Sequence, residues 1–221
     1  MALNKLKYNS LNLTPAANKA IGFDSDADAL EATLGGGSMT FIKKLTASSS
    51  STLSFVDGSS SVVLDSTYKE YMFIFKDIHP QTDSTQFQFN LSADSGSNYN
   101  VTKTSTYFRT YQSEADSGAD LEYITDSDLA QSTGFQRLSK NIGNDNDQSL
   151  SGYLNFFNPS STTFVKHFLA RTCFSEAGNF IETSHVAGYG NTTSAVDAIQ
   201  FKMSSGNIDA GTIKLYGIKD S

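Results

Sequence analysis

Three histidines are the side chains in this sequence best suited to acid–base chemistry, and they are His79, His167 and His185. None of them stands in an HExxH or GxSxG pattern, the spacings that mark zinc proteases and serine hydrolases. His167 lies in the run VKHFLAR, where strand alternation places it on one face with Val165 and Leu169. We therefore expect a half-buried, hydrogen-bonded imidazole there. Any of the many serines could be paired with a histidine on paper, so such a pairing identifies no catalytic triad.

Alternating acidic residues near the N-terminus could converge on a calcium ion. Asp24, Asp26 and Asp28 have the spacing that opens an EF-hand loop. The glycine expected at the sixth position is Ala29, however, and the acid expected at the twelfth is Gly35. The EF-hand pattern therefore fails, and the start of one or two solvated helical turns is favoured.

Two later segments are also rich in acidic side chains. The run 144–147 (NDND) could hold calcium in a surface loop, although a polar turn is favoured. Residues 113–128 contain six acidic and no basic side chains, nearly the whole net charge of −7. We expect a long solvated loop with a helical turn near 126–131. Such a loop would not hold two carboxylates at the fixed separation that a glycosidase needs.

Composition excludes several further function classes. The single cysteine, Cys173, rules out an intrachain disulfide and a multi-cysteine metal site, and we expect a buried structural thiol. A net charge of −7 and an isoelectric point of about 4.8 argue against nucleic-acid binding. No glycine-rich phosphate loop precedes a helix, and no run is long and apolar enough for membrane insertion. We therefore expect no catalysis, no cofactor and no metal. The N-terminal residues lack the apolar core of a signal peptide, so synthesis in the cytoplasm is expected.

Tyrosines remain as candidate binding side chains. A phenol ring near a strand end or in a loop can stack on a sugar ring or line a subunit contact. For most of them taken singly, packing in the core is the more common role. Six lie at such positions: Tyr99, Tyr107, Tyr111, Tyr123, Tyr153 and Tyr189.

The elements that would position these side chains are predominantly strands. From residue 39 onward, short runs of alternating apolar and polar residues follow one another with turn signals between them, and no run has the period of a crossover helix. This pattern predicts an all-β fold, a jelly-roll-like antiparallel β-sandwich over residues 39–221. Its predicted core contains Phe73, Phe75, Phe87, Phe89, Leu91, Phe201 and Leu215.

Three segments carry more specific expectations. Residues 61–64 read as a short strand. Residues 69–78 are apolar on both faces at the centre, which predicts a central strand covered on both sides. Residues 199–203 and 213–216 both alternate, and turn-forming residues separate them. They are predicted to form an antiparallel hairpin that closes a sheet.

Residues 1–38 differ in composition from the rest. Their apolar residues are too sparse to bury a core, so the segment is either a disordered tail or an arm that becomes ordered against a partner. We favour the arm, attached to a particle through Leu3, Leu6, Tyr8, Leu11 and Leu13 and joined to the body by a hinge of Gly35, Gly36 and Gly37.

Four stretches together resemble virion structural proteins of marine tailed phages, which are generally taken for tail-fibre, head-fibre or other appendage components. The stretches are MALNKLKYNSLNLTPAANKAIGFDSDADALE, DSTYKEYMFIFKDIHPQTDSTQFQFNLSADSGSNYN, FNPSSTTFVKHFLA and SSGNIDAGTIKLYGI. The resemblance spans nearly the whole chain and concerns its overall pattern, so it carries over no site residues. It implies a virion location, an N-terminal segment that attaches to other virion proteins, a β-sandwich body and a homotrimer.

Three function classes stay open at this point. The first is a phage appendage or head-fibre protein, with a role in host-surface adsorption. The second is a non-catalytic carbohydrate-binding module that binds a host surface glycan. A glycan-degrading enzyme is the least favoured. The expected strands are long and carry few lysines to guard an open edge, so self-association would protect the edges. The acidic segment 113–128 should then lie away from the symmetry axis, because copies of it would repel one another.

Overall fold

The computed structural model describes residues 20–23, 30–33 and 38–220. Contacts divide the chain into two units, Met1–Ser38 and Met39–Ser221. In the first unit, β1 (Ala20–Phe23) pairs antiparallel with β2 (Leu30–Thr33). Because Leu30–Thr33 is a strand, the helical turns predicted from the acidic stretch do not extend into it.

The described residues from Met39 onward form twelve strands in two antiparallel sheets and contain no helix. The strands are β3 (Met39–Thr46), β4 (Leu53–Val56), β5 (Glu70–Pro80), β6 (Phe87–Ser92), β7 (Lys103–Ser113), β8 (Ala119–Tyr123), β9 (Gln136–Arg137), β10 (Leu150–Phe157), β11 (Lys166–Glu176), β12 (Phe180–Gly190), β13 (Ala198–Met203) and β14 (Ile208–Ile218). The large sheet has the order β3-β14-β5-β10-β11-β12-β7-β8, and the small sheet has the order β4-β13-β6-β9.

Eight of these strands pair in the order of a jelly roll. They are, along the chain, β3, β4, β5, β6, β9, β10, β13 and β14. The first pairs with the last, the second with the seventh, the third with the sixth, and the fourth with the fifth. A long hairpin rolled up on itself produces these pairings. The prediction of a jelly-roll-like β-sandwich is therefore confirmed.

The other four strands are two hairpins inserted into the jelly roll. β7 pairs with β8, and β11 pairs with β12. Both hairpins join the same sheet, because β11 pairs with β10 and β12 pairs with β7. The large sheet therefore extends four strands beyond the jelly-roll framework, and the small sheet does not.

Phenylalanine rings fill the space between the two sheets. Phe55 meets Phe73 edge to face with ring centroids 5.3 Å apart, and Phe75 meets Phe87 at 5.2 Å. Phe201 packs against all four of these rings. Such contacts add to the free energy gained by burying the rings themselves. All seven residues predicted for the core are at most 1% exposed, so that prediction is confirmed.

The predicted hairpin between the last two strands is wrong. β13 pairs with β4 and β6 in the small sheet, whereas β14 pairs with β3 and β5 in the large sheet. Each strand therefore already has a neighbour on both sides. The turn between them carries the chain from one sheet to the other instead of reversing it within a sheet.

Three local predictions also need correction. Residues 61–64 are not a strand, because Ser60 and Ser61 have φ values of 51° and 66°, which turn the chain. β5 is an interior strand of its sheet, but only its inner face is buried, and Met72 and Ile74 are half-buried on the other face. The acidic segment 113–128 is not one loop, since β8 lies within it, and the described backbone at 126–131 is not helical.

Candidate functional site

The outer face of the large sheet, the face turned away from the small sheet, concentrates the exposed apolar side chains. The structure describes nine large apolar side chains that are 40% to 67% exposed. Alternation along the strands and pairing with neighbouring strands place eight of them on this outer face. They are Met39, Phe41, Phe108, Leu121, Tyr123, Tyr153, Leu169 and Ile181. From Met39 onward, no described element packs on this face.

Two adjoining hollows lie in this face, with volumes of about 400 and 470 Å³. Leu169 of β11 and Ala187 of β12 line both of them. The small Ala187 side chain leaves space between the larger residues of the neighbouring strands. The first hollow also has Phe108, Tyr153, Arg171 and His185 in its walls, and the second has Phe157, His167 and Tyr189. The inserted strands therefore supply most of this surface.

A row of directly opposed residues crosses all eight strands of the outer face, and we call it the cross-sheet row. Successive members lie opposite each other on neighbouring strands, roughly 4.8 Å apart. From β3 to β8 the row is Lys44, Lys214, Ile74, Tyr153, Arg171, His185, Phe108 and Tyr123.

The middle of the cross-sheet row combines aromatic rings with a cation. The rings of Phe108 and His185 stack in parallel, with centroids 4.7 Å apart and 1° between their planes. Burial lowers the pKa of His185, and the charge of Arg171 lowers it further. The imidazole is therefore neutral at neutral pH and presents an uncharged ring. This part of the row can hold a flat apolar surface beside a group that accepts hydrogen bonds from a guanidinium.

A second set of ionisable groups lies on the inner face, where β12 and β7 pass beyond the core. The Glu182 carboxylate is 2.5 Å from Arg109, whose guanidinium is also 2.6 Å from Glu122. Burial raises the pKa of Glu182 to about 7, and the charge of Arg109 opposes this shift. Both carboxylates are bound to the same guanidinium, so neither is free as a nucleophile or a base. β8 thus fixes Glu122 in a strand, although the sequence placed it in a mobile loop.

Two lysines are fully buried in the same unit. Lys103 donates from Nζ to the side chain of Asn90 and to the carbonyl of Val101, and burial lowers its pKa to about 7. Lys166 donates from Nζ to three backbone carbonyls. Because neither side chain reaches the surface, we assign both to the internal hydrogen bonding of the body.

The structure brings three of the six candidate tyrosines to the outer face. Tyr123 and Tyr153 belong to the cross-sheet row, and Tyr189 lines the second hollow. Tyr107 is buried and shares a hydrogen bond with Ser184. The two others lie apart from this face: Tyr111 is on the inner side, with the Arg109 guanidinium 5.1 Å from its ring centre, and Tyr99 is in the loop before β7.

The predictions of a half-buried His167 and a buried Cys173 are wrong, because both side chains are exposed. His167 does share a face with Leu169, but that face is the outer one. The residues of β11 that point inward are those of the other parity, including Phe168 and Phe174. Shifting the assignment by one residue exchanges the two faces of a strand. The phenylalanines were the signal that could have placed Leu169 and Arg171 on the outer face.

The remaining sequence candidates are not brought into a site. His79 shares a hydrogen bond of 2.8 Å with the carbonyl of Gln148, and the run 144–147 forms a turn in which the Asn144 side chain donates to a backbone carbonyl. Among the described residues, no group of three or more histidine, cysteine or acidic side chains could hold a metal ion, and no helix is long and apolar enough to cross a membrane. The predicted attachment residues, the glycine hinge and Asp24–Asp28 all lie outside the described residues.

Comparison with known proteins adds no assignment to this geometry. No protein-family model, curated protein or solved structure matches the chain. The candidate site therefore rests on the outer face itself, with its two hollows and its cross-sheet row.

Proposed function

We propose that this chain is a non-catalytic virion component, a tail-fibre or other appendage protein, and that its β-sandwich body binds a partner through the outer face of the large sheet. One observation carries the binding role: eight of the nine exposed large apolar side chains described lie on that single face. Large apolar side chains exposed together on one face are typical of an interaction site. The resemblance of the sequence to marine phage virion proteins supplies the particle context.

The distribution of ionisable groups favours binding over catalysis. Glu182 and Lys103 are the two side chains whose pKa burial moves to about 7. Both are on the inner face, and both are already hydrogen-bonded. The first hollow is lined instead by apolar and aromatic side chains together with Arg171 and the neutral His185. This lining suits recognition of a ligand without proton transfer.

Attachment through residues 1–38 and trimeric assembly are the further parts of this proposal. The sequence suggests that unprotected strand edges would require assembly, but both edges of the large sheet are protected. The edge strand β3 carries Lys43 and Lys44. The other edge strand, β8, is only five residues long and carries Asp120 and Glu122. The trimer therefore rests on the resemblance alone. A single species near 23.9 kDa at micromolar concentration would refute it.

A second candidate function is a carbohydrate-binding module that acts away from a particle. The observation in its favour is the aromatic lining of the hollows by Tyr153, Phe108 and Tyr189. Such rings are suited to the apolar faces of sugars.

Proteomics of purified phage particles tests the proposed function. We expect the full chain in stoichiometric amounts in virions, and a chain lacking residues 1–38 should fold but be absent from them. Absence of the full chain from particles would overturn the appendage assignment. Normal occupancy by the truncated chain would show that the attachment surface lies in the body.

A further inference from the structure

The positive charges of the cross-sheet row are arranged without partners. Lys44 on β3 and Lys214 on β14 are directly opposite each other in the cross-sheet row. Like charges in this position destabilise a sheet. In the part of the chain that the structure describes, neither ammonium has a carboxylate within 4 Å. The protein therefore keeps an arrangement that an anion on this face would stabilise.

Arg171 is a third positive charge without an ion-pair partner, further along the cross-sheet row. It is exposed, and no described carboxylate forms an ion pair with its guanidinium. Three strand spacings separate it from Lys214, which places the two backbone positions about 14 Å apart. Ile74 and Tyr153 occupy the row between them. The row thus alternates a cationic pair, an apolar and aromatic stretch, a guanidinium, and the stacked rings of His185 and Phe108.

We propose that the cross-sheet row binds an anionic polysaccharide that lies across the strands. Acidic groups of the polymer, carboxylate or sulfate, would contact the Lys44–Lys214 pair and Arg171. Sugar rings would lie on Tyr153 and on the Phe108–His185 stack. Arginine binds such oxyanions through two parallel hydrogen bonds, which adds orientation to the attraction. This inference rests on the proposed role of the outer face in binding, and it names the ligand class.

The charges of the cross-sheet row favour an anionic polysaccharide over a second copy of the chain or a nucleic acid. The chain as a whole carries −7, yet the cross-sheet row has three cations and no acidic member. A second copy docked through its own cross-sheet row would bring no carboxylate of that row to these cations, because the row has no acidic member. A nucleic acid carries a phosphate every 3.4 Å or so along a strand and is usually held by about 6–10 cationic contacts. Three cations spread over four strand spacings, about 19 Å, fit a polymer whose charged sugars alternate with neutral ones.

The test measures binding of the full chain to immobilised polygalacturonate, dextran sulfate, neutral dextran and a single-stranded oligonucleotide. We expect binding to the first or the second, or both, and none to dextran. The Lys44→Gln/Lys214→Gln double variant and Arg171→Gln should each weaken that binding roughly tenfold. Tyr153→Ala should weaken it as well. Lys202→Gln removes one positive charge from β13 in the small sheet and should leave the affinity unchanged.

Stability provides an internal control for the double variant. Removing two opposed like charges should raise its melting temperature slightly while its affinity falls, so a loss of binding cannot be assigned to unfolding. No binding to either polyanion, equal binding to dextran, tighter binding to the oligonucleotide, or an equal loss in Lys202→Gln would each overturn the inference. If polyanion binding is absent while particle proteomics still finds the chain in virions, this inference fails and the proposed function stands.

Discussion

Replacing Lys103 with methionine should stabilise the protein by an amount that depends on pH. Lys103 is fully buried on β7, and no described carboxylate lies within ion-pair distance of its ammonium. Burial lowers its pKa from 10.5 to about 7. Methionine has a similar length and no charge. The side-chain oxygen of Asn90, which accepts a hydrogen bond from Lys103, keeps a second one from the Leu91 amide.

The size of the effect follows from proton binding in the two states. Between the unfolded pKa of 10.5 and the folded pKa of about 7, the unfolded chain binds more protons, so stability is lost as pH falls through this window. Each pKa unit corresponds to about 1.4 kcal/mol. The penalty for Lys103 is then about 2 kcal/mol at about pH 9 and about 4–5 kcal/mol at about pH 6. Relaxation and water entry reduce such penalties, so both figures are upper limits.

Urea unfolding of the natural chain and of Lys103→Met over this pH range measures the difference directly. We expect the advantage of the variant to grow by about 2–3 kcal/mol from about pH 9 to about pH 6. Lys76→Met makes the same chemical change on an exposed side chain and should show no such trend. An advantage that stays constant with pH would refute the argument that the charge of Lys103 is buried without an ion pair.

Two further substitutions test the ion cluster and the packing of the large sheet. Burial raises the pKa of Glu182 from 4.5 to about 7, so its contribution to stability is present below 4.5 and is lost as pH rises through about 7. Glu182→Gln should remove this loss from thermal melts recorded across that window, and an unchanged pH profile would contradict the assignment. A Cβ at Gly152 would lie 2.3 Å from the carbonyl oxygen of Arg171, so Gly152→Ala should cost about 1–3 kcal/mol in urea unfolding. Gly118→Ala, with no atom within 4 Å of the new Cβ, is its control, and equal losses in the two would count against a close approach of β10 and β11.

Much of the core could be predicted from the sequence, because apolar residues occupy every second position in strands such as β6. Phe87, Phe89 and Leu91 alternate with polar residues, so the pattern indicates which face of β6 points to the apolar core. β11 was harder, because its outward residues include Leu169 and its inward residues include a lysine, Lys166. Burial of that lysine depends on the backbone carbonyls of Ser161 and Phe164, just before β11, and of Thr192, after β12. Strand alternation does not show these contacts.

The cross-sheet row could not have been predicted, because it depends on strand order. Arg171 and Tyr153 lie on neighbouring strands in the sequence, but Phe108 reaches the row only because β7 pairs with β12. The Lys44–Lys214 pair requires β3 and β14 to be neighbours, although they are far apart in the chain. The predicted hairpin failed for the same reason. The turn after β13 has the residues of a tight reversal, and those residues serve equally well to carry a chain between sheets.

The jelly-roll pairing also sets the order in which the body can be completed as the chain is synthesised. Among the described residues, the sheet neighbours of β3 and β4, the first two strands of the body, are β14 and β13, which are translated more than a hundred residues later. Until β14 has been synthesised, β3 lacks its described sheet neighbour. Lys43 and Lys44 then oppose aggregation of the unpaired strand, as they later protect the edge of the folded sheet. Contacts between residues so far apart in the sequence form slowly, because the chain between them must first lose conformational entropy. The first two strands of the body, β3 and β4, therefore stay without their described sheet neighbours until β13 and β14 have left the ribosome.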